Sequence, residues 1–357
     1  MKNFLEERKN ASISTKYNIN LSILRIIAMG MVVAIHAGIN VNWTQYVETG
    51  QYGVFLFFIL SGYLIFSSLD TGVSTREFYK KRVLRIIPEY WTALVMCWIV
   101  DITKYLCAGG DILEALGQYN SPYGIRYLRY FTFTNMFFPS NNWYLWNNRH
   151  AWWTMSAFML FYVLAPAIYK FFNSFKKVMI VLTILLCIMP LLQRALLYFL
   201  GDIYAEEESY IAGFCGDNAF CRLYCFFFGI VVYLAVREHK QLIYIVYLLA
   251  FLCVFNLRVY CWEIILTLCF MGVLQNPLDV GVRTKKIILF LSEGSFTLYC
   301  IHMTVMDIVM PLVGEISTHN SINFVLLYGL TCAVCYGYYW LYKYIKYTLV
   351  EKMKYKE

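Results

Sequence analysis

The chain has 357 residues, of which 60% are hydrophobic, 19% aromatic and 15% charged, with a mean hydropathy of +0.56. Soluble domains carry about 25% charged residues, so a soluble enzyme is excluded, and 7 Pro and 20 Gly are too few for a disordered or low-complexity chain. A net charge of +8 on so apolar a chain points to basic loops at a membrane, not to a nucleic-acid surface.

A bilayer core of about 30 Å takes about 20 apolar residues per helix, and the sequence offers ten such runs: 19–41, 51–69, 86–107, 151–172, 178–200, 219–236, 241–257, 259–276, 286–310 and 321–345. The first is too long for a signal-peptide core and lacks a small-residue cleavage site, so it reads as an uncleaved span. With the N-terminus placed inside, the inner segments hold 22 of the 30 Lys and Arg and the outer segments six. This asymmetry predicts both termini in the cytoplasm. The expected fold is therefore all-α: one polytopic membrane domain over 1–357, with residues 1–18 as a cytoplasmic segment and 346–357 as a cytoplasmic tail.

The first span contains Arg25 and His36, ionisable groups that a purely structural span avoids. Eleven residues bring a helix round to within about 20° of its start, so both lie on one face, about 16 Å apart along the axis. The plain structural readings are an Arg25 that snorkels to the inner interface and a His36 bonded to a neighbouring helix. Before the third span stand Arg76, Lys80, Lys81, Arg82 and Arg85. If the helix begins early, Arg82 and Arg85 occupy neighbouring turns of one face and suit forked hydrogen bonds to phosphate; the alternative is a positive-inside anchor.

Next comes an outer segment, Ala108 to His150, whose dense Tyr, Phe and Trp residues are expected to lie at the headgroup level. Arg149 and His150 open the fourth span at its outer end, and Arg126 and Arg129 share a face of the aromatic segment; all four suit either a sugar or lipid phosphate, or an interfacial anchor. In the second long outer segment, Gly201 to Asn218, Glu206 to Glu208 read as a solvated face. Cys215 and Cys221 are able to pair with each other, or either with Cys107, in an oxidising exterior.

The ninth span carries His302 about as deep from the inner side as His36 lies in the first, so the two can approach one another. Asp307 follows His302 by five positions, about 140° away on a helix, so the pair cannot act as a dyad on one face. Cys332 and Cys335 form a CxxC inside an apolar span and read as small core residues. The five His are scattered over both sides and several depths, and no metal site is expected.

Taken in order, these motifs resemble the membrane acyltransferase family that acylates bacterial surface polysaccharides, acyltransferase family 3. Arg25 and His36 in LRIIAMGMVVAIHA resemble its first-span signature. GVFLFFILSGYLIF, with Ser61 and Gly62, is similar to its second-span motif, although Phe55 stands where many members have Asp or Pro. Arg82 to Arg85, followed by Pro88 to Trp91, resembles its RxxR element. RHAWWTMSAFMLFYVLAPAI and SFTLYCIHMTVMD, the latter with Tyr299 and His302, resemble its fourth-span entry and its Tyr-x-x-His helix, and FFFGI at Phe226 to Ile230 is the least specific match.

The resemblance implies transfer of an acyl group, usually acetyl, from cytoplasmic acyl-CoA to a hydroxyl of a cell-surface or lipid-linked glycan, in a multi-pass protein of the bacterial plasma membrane and without a metal. In that reading Arg82 and Arg85 hold CoA phosphates and Arg25 positions the donor. A pantetheine arm of about 15 to 20 Å then reaches His36, the general base, with His302 in support. A covalent acyl-histidine remains an alternative. Ser61, Arg149, His150 and Tyr299 belong to the substrate side. Only about a dozen residues follow the tenth span, so any globular domain completing transfer is expected on a separate protein, or the acceptor is used directly. The rival reading is a transport or binding domain for a small metabolite such as an amino acid, similar to the membrane part of resistance-type serine racemases; no repeated pair of interrupted spans supports a transporter.

Overall fold

A computed structural model describes residues 19–117, 124, 127–137, 152–201, 208–254, 260–314 and 319–354. Among them no strand occurs, and each predicted span is a helix: α1 Ile19–Asn40, α2 Gly53–Asp70, α3 Thr75–Cys107, α4 Trp153–Phe171, α5 Phe175–Gly201, α6 Leu223–Arg237, α7 Gln241–Val254, α8 Cys261–Gln275, α9 Val282–Gly314 and α10 Asn320–Lys354. Seven are long and apolar enough to cross a membrane; α6, α7 and α8 are apolar but shorter. In α6 every residue from Tyr224 to Val232 is buried, as suits a helix apolar all round and enclosed by protein.

The third helix starts eleven residues before the predicted span. Ser74 Oγ accepts the Glu77 N–H at 3.2 Å, and Glu77 pairs with Lys81 one turn on at 2.7 Å, so cap and charge together begin the helix. The basic cluster consequently sits on a helix and not in a loop.

Close backbone approach sets the centre of the bundle. A Cβ on Gly62 of α2 would fall 2.0 Å from the Phe226 carbonyl oxygen, and one on Gly229 of α6 would fall 1.8 Å from that of Ile59. The two helices cross where both lack a side chain, the usual device for packing helices without a hydrophobic drive between them. Polar staples fasten the predicted inner ends. Asp70 accepts from Tyr169 at 2.5 Å, Tyr233 at 2.6 Å and Arg237 at 3.0 Å, tying α2, α4 and α6. Asn20 donates to the carbonyls of Val273 and Asn276 and accepts from the Leu278 N–H, tying α1 to the end of α8. Asp70 and Asn20 thus have the partners that a low-dielectric interior demands.

Two large apolar cores result, beside a small cluster of Met136, Ile211, Phe214 and Cys215. One joins α2 and α4 to α5, α6, α7 and α8; the other joins α1, α3, α9 and α10 to the start of α4. Val54, Phe57 and Tyr162 pack on both and mark the seam between them.

Part of the aromatic segment, residues 127–137, is packed against the helices. Tyr127, Tyr130, Phe133 and Met136 are buried, Tyr127 donates to the Leu94 carbonyl at 3.0 Å, Phe133 stacks on Tyr90 at 5.0 Å and Tyr130 meets Trp152 at 5.2 Å. Protein contact buries the whole ring and still satisfies the hydroxyl, which an interfacial position does only in part. Cys215 and Cys221 are buried free thiols and Cys107 an exposed one. Asn218 Nδ2 donates to Cys221 Sγ at 3.1 Å, so the contemplated disulfide is not formed. The side chains of Glu206 to Glu208 lie outside the described residues.

Candidate active site

A cavity of about 130 Å³ opens along the seam between the two cores, walled by α1, α2, α3, α4 and α9. Five of the residues singled out in the sequence line it: Arg25, Ser61, Arg82, Arg85 and Tyr299. They come from four helices, and on α4 the lining runs from Thr154 to Tyr162, eight positions apart. At 1.5 Å per residue that separation is about 12 Å.

The end nearest the predicted inner face is cationic. Arg25, Arg82 and Arg85 converge there, and among the described residues none of the three makes an ion pair with a carboxylate. Arg82 Nε is buried without a hydrogen-bond partner among the described residues, while its guanidinium lies over the rings of Phe78 at 5.4 Å and Tyr162 at 5.7 Å. Glu293 also lines the cavity, but its carboxylate is engaged by Lys343 at 2.7 Å and Tyr339 at 3.2 Å on α10. Glu89, one turn beyond Arg85 on α3, accepts a hydrogen bond from Thr297; three guanidiniums with no carboxylate in ion-pair contact among the described residues form a socket for a multiply charged anion, and their planar forks suit phosphate.

The far end is built from hydroxyls and imidazoles. Thr154 Oγ1 and the Tyr299 hydroxyl are 2.5 Å apart. One turn beyond Tyr299 on α9, His302 is fully buried, and its ring centroid is 6.2 Å from that of Tyr299 and 5.2 Å from that of His36. The two predicted histidines therefore meet, although neither lines the cavity itself. His302 Nδ1 lies 2.8 Å from the Tyr299 carbonyl oxygen and 3.1 Å from that of Leu298. A carbonyl only accepts, so Nδ1 carries a proton and donates. Trp152 Nε1 donates to the Cys300 carbonyl at 2.9 Å and pins the start of α4 to α9, which sets Thr154 opposite Tyr299.

Arg149, His150 and Arg126 lie outside the described residues. Asp307 is exposed on the outer face of α9, 3.7 Å from Lys104, so it takes no part with His302. Phe55 underlies the Arg222 guanidinium at 5.0 Å, which is itself paired with Asp217 at 2.6 Å. Sequence reasoning missed Thr154 and Glu293 as wall residues. The only signal for Thr154 was a hydroxyl in the apolar entry WWTMSAF; which way it points depends on the packing of α4 against α9.

A family model described as an acyltransferase domain matches residues 18–340. Among curated proteins, the chain is 23% identical over 290 residues, 74% of its length, to ORF330 of Acidianus two-tailed virus, named as a candidate acetyltransferase, of which it covers 76%. It is 24% identical over 188 residues, 48% of its length, to the peptidoglycan O-acetyltransferase OatA of Listeria monocytogenes, covering 27% of that protein. It is 32% identical over 111 residues, 28% of its length, to YrhL of Bacillus subtilis, named as a candidate peptidoglycan O-acetyltransferase, covering 17% of it. The chain thus spans about a quarter or less of the two peptidoglycan-named relatives. No solved structure matches it.

Proposed function

The chain belongs to acyltransferase family 3, and from that membership we propose that it is a membrane O-acetyltransferase using cytoplasmic acetyl-CoA to esterify a hydroxyl of a cell-surface or lipid-linked glycan. The observation that carries this reading is the polarity of the seam cavity. Three guanidiniums, none in ion-pair contact with a carboxylate among the described residues, stand at one end, and the His36 and His302 pair lies past the other.

Arg82 and Arg85 hold the phosphates of the nucleotide part, and Arg25 neutralises the group where the arm enters the protein. The arm runs about 12 Å past Ser61 to Tyr299, a length that pantetheine covers when extended. His36 removes the proton of the acceptor hydroxyl as that oxygen attacks the thioester carbon. His302, its Nδ1–H directed at the Tyr299 carbonyl, supports His36, whose ring lies 5.2 Å away. Arg149 and His150, at the predicted outer end of the fourth span, belong to the acceptor side. The acetyltransferase and peptidoglycan names of the relatives support acetyl as the acyl group and an envelope glycan as the acceptor.

The test is expression of the wild-type protein and of His36→Ala, followed by mass spectrometry of alkali-labile acetyl groups on envelope glycans. Ester gained with the wild type and absent with the variant is expected. Equal ester content in cells with and without the wild-type chain would sink the reading.

A further inference from the structure

The Thr154–Tyr299 hydroxyl pair has no part in holding phosphate or in taking a proton, yet it forms the wall of the cavity at its histidine end. Thr154 is 1% exposed and Tyr299 6%, so both hydroxyls are removed from water. An O–H···O bond between two hydroxyls consumes one hydrogen and leaves the other. A phenol is the stronger acid and better donor, and an alkyl hydroxyl the better acceptor, so Tyr299 donates to Thr154 Oγ1 and Thr154 keeps its own hydrogen for the cavity. A hydroxyl that is already accepting a bond is polarised and donates more strongly. Thr154 also lies in the first turn of α4, a helix of 19 residues whose N-terminal end carries partial positive charge.

Resting on the acetyl-CoA reading above, we propose that Thr154, polarised by Tyr299, is a catalytic residue that stabilises the oxyanion formed on the thioester carbonyl. The step balances as follows. The acceptor oxygen bonds to the carbonyl carbon while His36 takes its proton, and the C=O π pair moves onto oxygen, where Thr154 Oγ1–H donates to it. The pair then returns to reform C=O, the C–S bond breaks with its electrons on sulfur, and the proton passes from His36 to that sulfur. The products are the acetyl ester and CoA thiol. A donor aimed at charge that exists only in the transition state raises turnover without tightening ground-state binding. The prediction is therefore a split between kcat and KM.

The experiment uses the full chain in proteoliposomes supplied with envelope glycan from the producing cells, with thiol release followed against acetyl-CoA concentration. Thr154→Val is expected to lower kcat about 100-fold, the usual effect of removing one oxyanion donor, with the KM for acetyl-CoA unchanged. Thr154→Ser restores turnover to near the wild-type rate, because the hydroxyl and its Tyr299 partner are kept. Because valine leaves the Tyr299 hydroxyl orphaned, the double variant T154V/Y299F, which removes both ends of the bond, carries the same expectation if the single variant does not fold. Wild-type kcat in Thr154→Val overturns the proposal, as does a raised KM shared by the Ser and Val variants, which marks a structural role. Either result leaves the acetyltransferase reading standing; absence of thiol release by the wild type overturns that reading and this one together.

Discussion

Replacing Arg82 by Gln separates donor recognition from the stability of the bundle. Arg82 stacks on Phe78 and Tyr162 and shares the cavity with Arg25 and Arg85. In the empty protein its removal forfeits ring contacts of about 0.5 to 1 kcal/mol and relieves repulsion among three like charges, so the ligand-free melting temperature changes little. With the donor bound the two effects no longer offset. A hydrogen bond to a charged group contributes about 1.5 to 3 kcal/mol, which corresponds to an affinity loss of about 10- to 150-fold. Acetyl-CoA at about 100 times the wild-type Kd stabilises the folded state by about 2.7 kcal/mol. At that same concentration a variant weakened about 10-fold retains about 1.4 kcal/mol, and one weakened about 100-fold about 0.4 kcal/mol. The assay is thermal unfolding of the detergent-solubilised chain with and without acetyl-CoA. Arg82→Lys keeps the charge but not the fork and falls between. Lys177→Gln, an exposed inner-side charge away from the cavity, keeps the full shift. Full protection in Arg82→Gln, or equal loss in Lys177→Gln, would refute the phosphate assignment.

Two further predictions concern the scaffold that holds the cavity. Asp70→Ala leaves Arg237, Tyr169 and Tyr233 without their shared acceptor, which costs about 3 to 5 kcal/mol for a broken buried pair. A large drop in melting temperature is expected, and an unchanged one would show that the staple is dispensable. Gly229→Val drives a side chain into the Ile59 carbonyl at the α2–α6 crossing, an overpacking of at least about 1 to 3 kcal/mol with no flexible atom to yield. The variant is expected to lose its monodisperse elution peak in size-exclusion chromatography, and a normal peak with wild-type melting would contradict the close crossing.

Much of this site was legible before any coordinates. Arg25 and His36 were visible because an apolar span makes each ionisable residue costly, and the RxxR pair because two forks three residues apart share a helix face. Their convergence was only half visible. Equal depth in two spans suggested that His36 and His302 approach, but the meeting at 5.2 Å depends on how α1 and α9 rotate about their axes, which periodicity does not fix when a helix is apolar on every face. Thr154 was missed for the same reason. The protein partners of the outer aromatic segment were not legible, because ring-rich sequence has the same composition whatever its rings pack on; the structure gives them as Trp152, Tyr90 and Leu94.

Composition and run length pointed to an all-helical membrane protein, with ten apolar helices among the described residues, because runs of about 20 apolar residues match a helix crossing a bilayer and satisfy their backbone within the segment. The order of the Arg, His and Ser-Gly motifs determined the family. Tertiary structure decided which of the scarce polar groups work together. It put the three arginines and the hydroxyl pair at opposite ends of one seam, set the histidines just beyond, sent Asp307 outward to Lys104, and used Asp70 and Asn20 as staples. The physical reason is that a buried charge or hydroxyl is defined by what faces it across a helix interface, and that is a property of packing between elements far apart in the chain.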